Sequence, residues 1–407
     1  MHVLLIHQGF ATPNEPGGTR HFELARGAVE QGHRFTVIAS DLGYFSGRRA
    51  SRAQRMSDGE IVSGIQVRRT YTHPTLHGGF AGQLVSFISF ALSSFIEALR
   101  VPKIDLVMAT SPPIFQAVSA WLVSALRRRP LLLEIRDLWP EFIVDMGKLR
   151  NPLVIRLARW LERLLYARAD HIVVNSPAYV DYLIAKGVAP GKITFLPNGV
   201  DPTAFDPSLS GNGLRKSLNI KGKFVVVYAG VMGPANNLDV VLEAAADLHG
   251  DKRIVFLLVG DGKARNQLQS QADAQRLENV LFVGAYPKGR MRDFLAVSDA
   301  CVATLQNIPM FRMTYPNKVF DYMAAGRPVL LAIDGVIREV VEAAGAGLFV
   351  APGDAKSLAE AVRYLADHPH ESAAMSRRGR AYVEKHFNRA DQSRQFADVL
   401  ETVAARG

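Results

Sequence analysis

The sequence predicts an α/β protein of two doubly wound, parallel-sheet domains, and three features predict it. Short apolar runs alternate with longer stretches of helical period from end to end, the pattern of βαβ units. A length of 407 residues exceeds one ordinary core. One turn-rich stretch, NGVDPTAFDPSLSGNG at 198–213, interrupts the alternation near its middle. Two facing Rossmann-like domains, 1–200 and 215–385, are expected, with 389–407 as a helix packing back on the first. Such a pair sets a ligand crevice at the carboxyl ends of both sheets.

In the first half the strand candidates are 3–7, 35–40, 65–71, 104–110, 130–136, 171–176 and 193–198, each a brief run rich in Val, Ile and Leu. Helices fill the gaps; LVIRLARWLERLLYAR (153–168) has one apolar and one basic face, as a helix laid on a sheet requires. The pattern restarts with 223–230, 254–260, 280–286, 300–305, 328–333 and 347–352. Hydrophobic residues at 48% and charged residues at 21% exclude wholesale disorder. The single cysteine, Cys301, cannot form an internal disulfide and fits a reducing compartment, so the cytoplasm is expected. The start MHVLLIHQGF lacks a basic leader and reads as a buried strand. A formal charge of +10 favours anionic partners without choosing among phosphates, nucleic acid and acidic lipid.

The most informative stretch is MFRMTYPNKVFDYMAAGRPVL (310–330). Pro316 suits a first helical turn and Gly326 a helix end, so a helix is expected over about 316–325. Its free N–H groups and dipole make an anion site to which Lys318 adds a full charge. Asp321, three residues on, is placed to accept hydrogen bonds from paired ribose hydroxyls. A nucleotide diphosphate satisfies both; the plainer alternative is a solvated Lys318–Asp321 pair.

At this point a resemblance enters. The run PNKVFDYMAAGRPVL resembles the donor-site segment of glycosyltransferase family 4, the retaining family of the GT-B fold. PGGTRHFELARGAVEQGHRFTVI (16–38), LPNGVD (196–201), VVYAGVMG (226–233), LLVGDGKARNQL (257–268) and NVLFVGAYPKGRM (279–291) extend it over nearly the whole chain. RDLWPE (136–141) and the PNK opening resemble the branch of N-acetyl-L-fucosamine transferases, which act on lipid-linked sugars in O-antigen and capsule assembly. The resemblance implies that Asp321 holds the ribose and that Met313 replaces the family's first motif glutamate. It also places the usual diphosphate-clamping Arg and Lys near Val231 and Asn236, where both charges are missing. Lys318 is therefore expected to take over the diphosphate, since a leaving group that develops charge needs a cation.

Around this centre Thr314 and Asn317, which flank the helix start, are expected to bind the donor, and Gly17, Gly18, Gly230 and Gly260 let backbone approach it. Arg136, Asp137 and Glu141 lie just past a strand end; the last two are candidates to orient the acceptor hydroxyl, with a capping or ion-pair role as the alternative. In a retaining GT-B reaction, as the resemblance implies, the departing phosphate accepts the acceptor's proton. No metal or other cofactor is expected: there is no DxD run, and His73 and His77 sit in a turn-rich segment.

Residues 78–96 carry no charge. The expected readings are a buried helix, or one docked on acidic lipid through Phe80, Phe87, Phe90 and Phe95, with Arg48, Arg49, Arg52, Arg55, Arg68, Arg69, Arg100 and Lys103 flanking. The reading is thus a retaining transferase moving a sugar from a nucleotide diphosphate, such as UDP-N-acetyl-L-fucosamine, to a lipid-linked saccharide. The expected setting is cytoplasmic or peripheral on the inner face of the plasma membrane. No nucleic-acid partner is expected, because the basic residues are scattered among acids. A sugar-nucleotide epimerase of the same fold and a non-catalytic nucleotide or nucleic-acid binder are the alternatives.

Overall fold

The computed structural model describes residues 1–15, 17–43, 49, 60–75, 79–206 and 211–406; Arg48, Arg52, Arg55, His77 and the side chain of Phe80 lie outside them. Contacts divide the chain into two units, Met1–Pro197 with Ala390–Gly407, and Asn198–Arg389.

The first unit carries eight strands: β1 (His2–Ile6), β2 (Arg34–Ser40), β3 (Glu60–Val62), β4 (Ile65–Thr70), β5 (Leu106–Ser111), β6 (Leu131–Ile135), β7 (His171–Val174) and β8 (Ile193–Phe195). Their order is β3-β4-β2-β1-β5-β6-β7-β8, and every pairing is parallel except β3 with β4. That hairpin adds one antiparallel edge to an otherwise parallel sheet. Its turn is Ser63-Gly64 with φ of 50° and 81°, and two left-handed residues in a row match the right-handed twist of flanking strands. The chain runs leftward from β1 to β2 and rightward from β5 to β8. Right-handed crossovers therefore set helix Arg20–Glu30 on one face of the sheet and helices Phe80–Leu99, Phe115–Arg127 and Pro152–Arg168 on the other.

The C-terminal helix, Arg389–Ala404, joins the first face: Phe396, Leu400 and Val403 share an apolar cluster with Phe22, Leu24 and Val37. Gly27 makes that approach possible, because a Cβ there would stand 2.4 Å from the Cβ of Ser393.

The second unit carries β9 (Phe224–Ala229), β10 (Ile254–Val259), β11 (Val280–Gly284), β12 (Ala300–Thr304), β13 (Val329–Ala332) and β14 (Gly347–Phe349), all parallel, in the order β11-β10-β9-β12-β13-β14. Near-continuous Val, Ile and Leu runs suit strands covered on both faces. Strand order reverses between β9 and β12, and such a switch point is where doubly wound sheets hold ligands.

Candidate active site

In the second unit the helix Asn317–Ala324 starts after Pro316, one residue later than expected, and ends at Gly326 with φ of 63°. The Arg327 N–H donates to Tyr322 O and the Gly326 N–H to Met323 O, so the glycine closes the helix as a left-handed cap. Lys318 in its first turn reaches across to β9. Its Nζ donates to the Tyr228 hydroxyl and to Asn236 Oδ1, each at 2.9 Å, and lies 4.2 Å from the Tyr228 ring centroid. The ammonium therefore stands just beyond the carboxyl end of β9, at the switch point.

Two further facts define its chemistry. Among the described residues Lys318 has no carboxylate partner. Withdrawal from water pulls its pKa down from the ordinary 10.5 to about 7. A partly buried cation given only neutral oxygen partners and a π face is an unmet demand for an anion.

The glycines shape the surroundings. A Cβ on Gly230 would stand 3.3 Å from Lys318 Nζ, and one on Gly260 would stand 1.8 Å from Gly230 O, so the second position tolerates no side chain. Asp321, one turn beyond Lys318, is ion-paired with Lys288 from the segment after β11. Thr314 Oγ1 donates to Phe311 O, and Asn317 is exposed.

In the first unit Gly17 and Gly18 precede helix Arg20–Glu30, and the space beside Gly18 is open. Arg136 and Asp137 follow β6, where the Arg136 N–H donates to Ser111 O. The Asp137 carboxyl makes no hydrogen bond among the described residues, and desolvation lifts its pKa to about 6 against the opposing pull of Arg136. Glu141 is placed differently from its sequence neighbour. Arg159 binds both its oxygens at 2.8 Å and Lys186 stands 3.5 Å away, which holds the carboxyl below its ordinary value. Both Glu141 oxygens thus accept from Arg159, the ion-pair role that was the alternative to orienting an acceptor hydroxyl.

The sequence reading missed a buried charge cluster beside these residues. Glu134, fully buried near the end of β6, accepts from Arg20 Nε at 2.8 Å and is hydrogen-bonded to His21 Nε2. Arg20 also donates to Pro197 O and Leu196 O. The His7 ring lies 4.3 Å from that of His21, tilted by 47°, and burial holds its pKa well below the ordinary value. Nearby strand ends carry buried polar atoms without partners among the described residues, Nε2 and Oε1 of Gln8 and Oδ1 of Asn175. The available signal was the placement of Gln8 and Asn175 directly after strands β1 and β7. Among the described residues no group of three or more His, Cys, Asp or Glu is arranged to hold a metal ion.

Comparison with known proteins bears on this arrangement. Residues 17–199 match the family "Glycosyl transferase 4-like domain" and residues 212–382 match "Glycosyl transferases group 1". The chain belongs to the family 4/group 1 glycosyltransferases of the GT-B fold. It is a transferase enzyme. It is 26% identical over 330 residues to WcaI of Escherichia coli K12, named as a colanic acid biosynthesis glycosyl transferase, spanning 78% of this chain and 79% of that one. It is 27% identical over 348 residues to a GDP-mannose-dependent alpha-mannosyltransferase of Mycobacterium tuberculosis, spanning 85% and 83%. Among solved structures, Anabaena HepE in complex with UDP and glucose superposes with a TM-score of 0.74 at 20% identity, covering 98% of this chain and 99% of that one. Sucrose-phosphate synthase of Thermosynechococcus elongatus gives 0.79 at 18%, with both chains fully covered.

Proposed function

We propose that this glycosyltransferase is a retaining enzyme that moves a sugar from a UDP-sugar, such as UDP-N-acetyl-L-fucosamine, to a lipid-linked saccharide in O-antigen or related cell-surface polysaccharide assembly, working in the cytoplasm at the inner face of the plasma membrane. The observation that carries the donor half is Lys318, a partly buried ammonium without a counter-ion among the described residues, at the switch point of the second sheet. Its contact with Asn236 strengthens the reading, since that is where the family resemblance locates a missing cation. The ammonium arrives from the helix instead of from the loop after β9.

In this reading the bond from the sugar's anomeric carbon to the diphosphate breaks, and the bond to the acceptor oxygen forms on the same face. The acceptor's proton passes to the departing phosphate oxygen. Lys318 and the helix amino end neutralise the charge that develops there. Asp321 holds the ribose, and no metal is required. Arg136, Asp137, the Gln8 amide and Asn175 Oδ1 belong to the acceptor side, where hydroxyl groups would satisfy the last two, which are unpartnered among the described residues.

UDP is favoured by the UDP named in the HepE complex, and the branch by the RDLWPE and PNK runs. The test is a thermal-shift panel of UDP- and GDP-sugars, since a ligand bound only by the folded state raises the melting temperature. A GDP-sugar as the sole stabiliser overturns the UDP assignment. Release of free sugar or an epimer without acceptor favours the epimerase.

A further inference from the structure

The helix Phe80–Leu99 is apolar and long enough to span a bilayer by length and composition, yet only 22% of its most apolar window is buried. Its inner side belongs to the fold, with Phe90 and Ala98 at 0% exposure. The phenylalanine interface expected from sequence therefore fails at Phe90, which is core. What the helix shows to solvent is an aliphatic stripe, Val85, Ile88, Leu92 and Ile96, at helical spacing.

The stripe is not alone. Helix Phe115–Arg127 packs between Phe80–Leu99 and Pro152–Arg168, tied by Ser119 Oγ donating to Ala91 O and by Arg168 lying over the Trp121 ring. The outer sides of these two helices expose Leu126 at 65%, Leu157 at 57% and Trp160 at 59%, against 63% for Leu92. Three adjacent helices on one side of a sheet thus all turn large apolar side chains outward, which a water-facing layer does not need.

Charge decides what covers this face. The three helices contain two carboxylates, and both are engaged: Glu97 with Arg68 and Arg100, Glu162 with Lys186. Arg128, Arg129, Arg156 and Arg163 are exposed and make no ion pair among the described residues. Arg156 and Arg163 lie within one turn of Trp160 on its own side of the helix. Of the arginines flanking residues 78–96 in the sequence, Arg49, Arg68 and Arg69 are instead bound to Asp41, Glu97 and Glu15.

We infer that this three-helix face docks on a membrane surface rich in anionic phospholipid, its apolar side chains entering the interface and its arginines meeting the headgroups. The inference gives the lipid-linked acceptor of the proposed function a place to be met, but its test needs neither donor nor acceptor, so failure of that reading does not touch it. The full chain is sedimented with phosphatidylcholine vesicles with and without phosphatidylglycerol. Binding is expected only with phosphatidylglycerol and is expected to weaken as salt rises. The variant Leu126→Ser/Trp160→Ser should reduce partitioning about tenfold or more, as lost apolar burial requires. The variant Arg128→Gln/Arg129→Gln/Arg156→Gln should reduce it about a hundredfold. Unchanged melting temperatures establish that both variants fold. Equal binding to neutral vesicles, or binding unaffected by either variant, overturns the inference. So does a dimer in sedimentation velocity that Leu126→Ser/Trp160→Ser abolishes in a protein that ignores vesicles, since the face would then belong to a second copy.

Discussion

Arg20 in the first unit and Lys318 in the second are both cations drawn out of water, and the chain treats them in opposite ways. Arg20 is 5% exposed and every arm of its guanidinium is used, on Glu134, Pro197 O and Leu196 O. Lys318 has two neutral oxygens and an aromatic face, with no anion among the described residues. A satisfied buried charge holds a fold together; an unsatisfied one stores a demand that a ligand can meet. Loss of each should therefore damage a different property.

The largest effect is expected at Arg20. Arg20→Ala leaves Glu134 buried and without its arginine counter-ion, which costs about 3–5 kcal/mol of stability. A denaturant midpoint near that of the parent chain would show that the cluster is not structural. Lys318→Ala should act in the reverse sense, lowering kcat by about 10²–10³-fold as the loss of one charge-stabilising donor does, with stability retained. Near-native turnover in that variant removes Lys318 from the chemistry. A fall in melting temperature instead of kcat would make the two cations alike.

The pH dependence separates the second unit from the first. Lys318 folds with its pKa lowered, so between about pH 7 and 10.5 the unfolded chain binds more protons and stability from this group rises with pH. Asp137 folds with its pKa raised, so between 3.8 and about 6 the folded chain binds more protons and stability from this group falls as pH rises. A diphosphate should restore the proton on Lys318. UDP affinity is then expected to fall up to tenfold per pH unit above about pH 7, with proton uptake measurable by titration calorimetry in buffers of different ionisation heat. Affinity that is flat across that range sinks the protonation scheme.

How much of this was legible follows from the range of each interaction. Strands such as Phe224–Ala229 and Ile254–Val259 were readable because an apolar run between turn residues is a local signal. The hairpin strand Glu60–Val62 was not, because three residues are too short a run to stand out, although the Ser63-Gly64 turn beside it was visible. Lys318 and Asp321 were legible as a helix opening, whereas the Tyr228 and Asn236 contacts span 90 and 82 residues and only the fold joins them. Arg20 and His21 read as ordinary surface charges at a helix start. Their partner Glu134 lies over 110 residues away and sits inside an apolar run that gives no warning of a buried carboxylate. The ion pairs of Glu141 were hidden for the same reason: Arg159 lies on helix Pro152–Arg168 and Lys186 just past helix Pro177–Ala185.

The smallest effect concerns Lys288, and it sharpens the comparison most, because it asks whether a paired charge can also serve the ligand. Lys288 is 27% exposed and Asp321 16%, so the pair is partly screened and its own contribution stays within about 1 kcal/mol. If Asp321 receives the ribose hydroxyls, the Lys288 ammonium competes with them for the same carboxylate. Lys288→Met should then tighten UDP binding about two- to fivefold, the equivalent of that pair energy, and leave kcat little changed. Weakened binding would mean that Lys288 leaves Asp321 for the nucleotide. The second unit would then hold its ligand with two ammonium groups, only one of them kept in reserve by isolation.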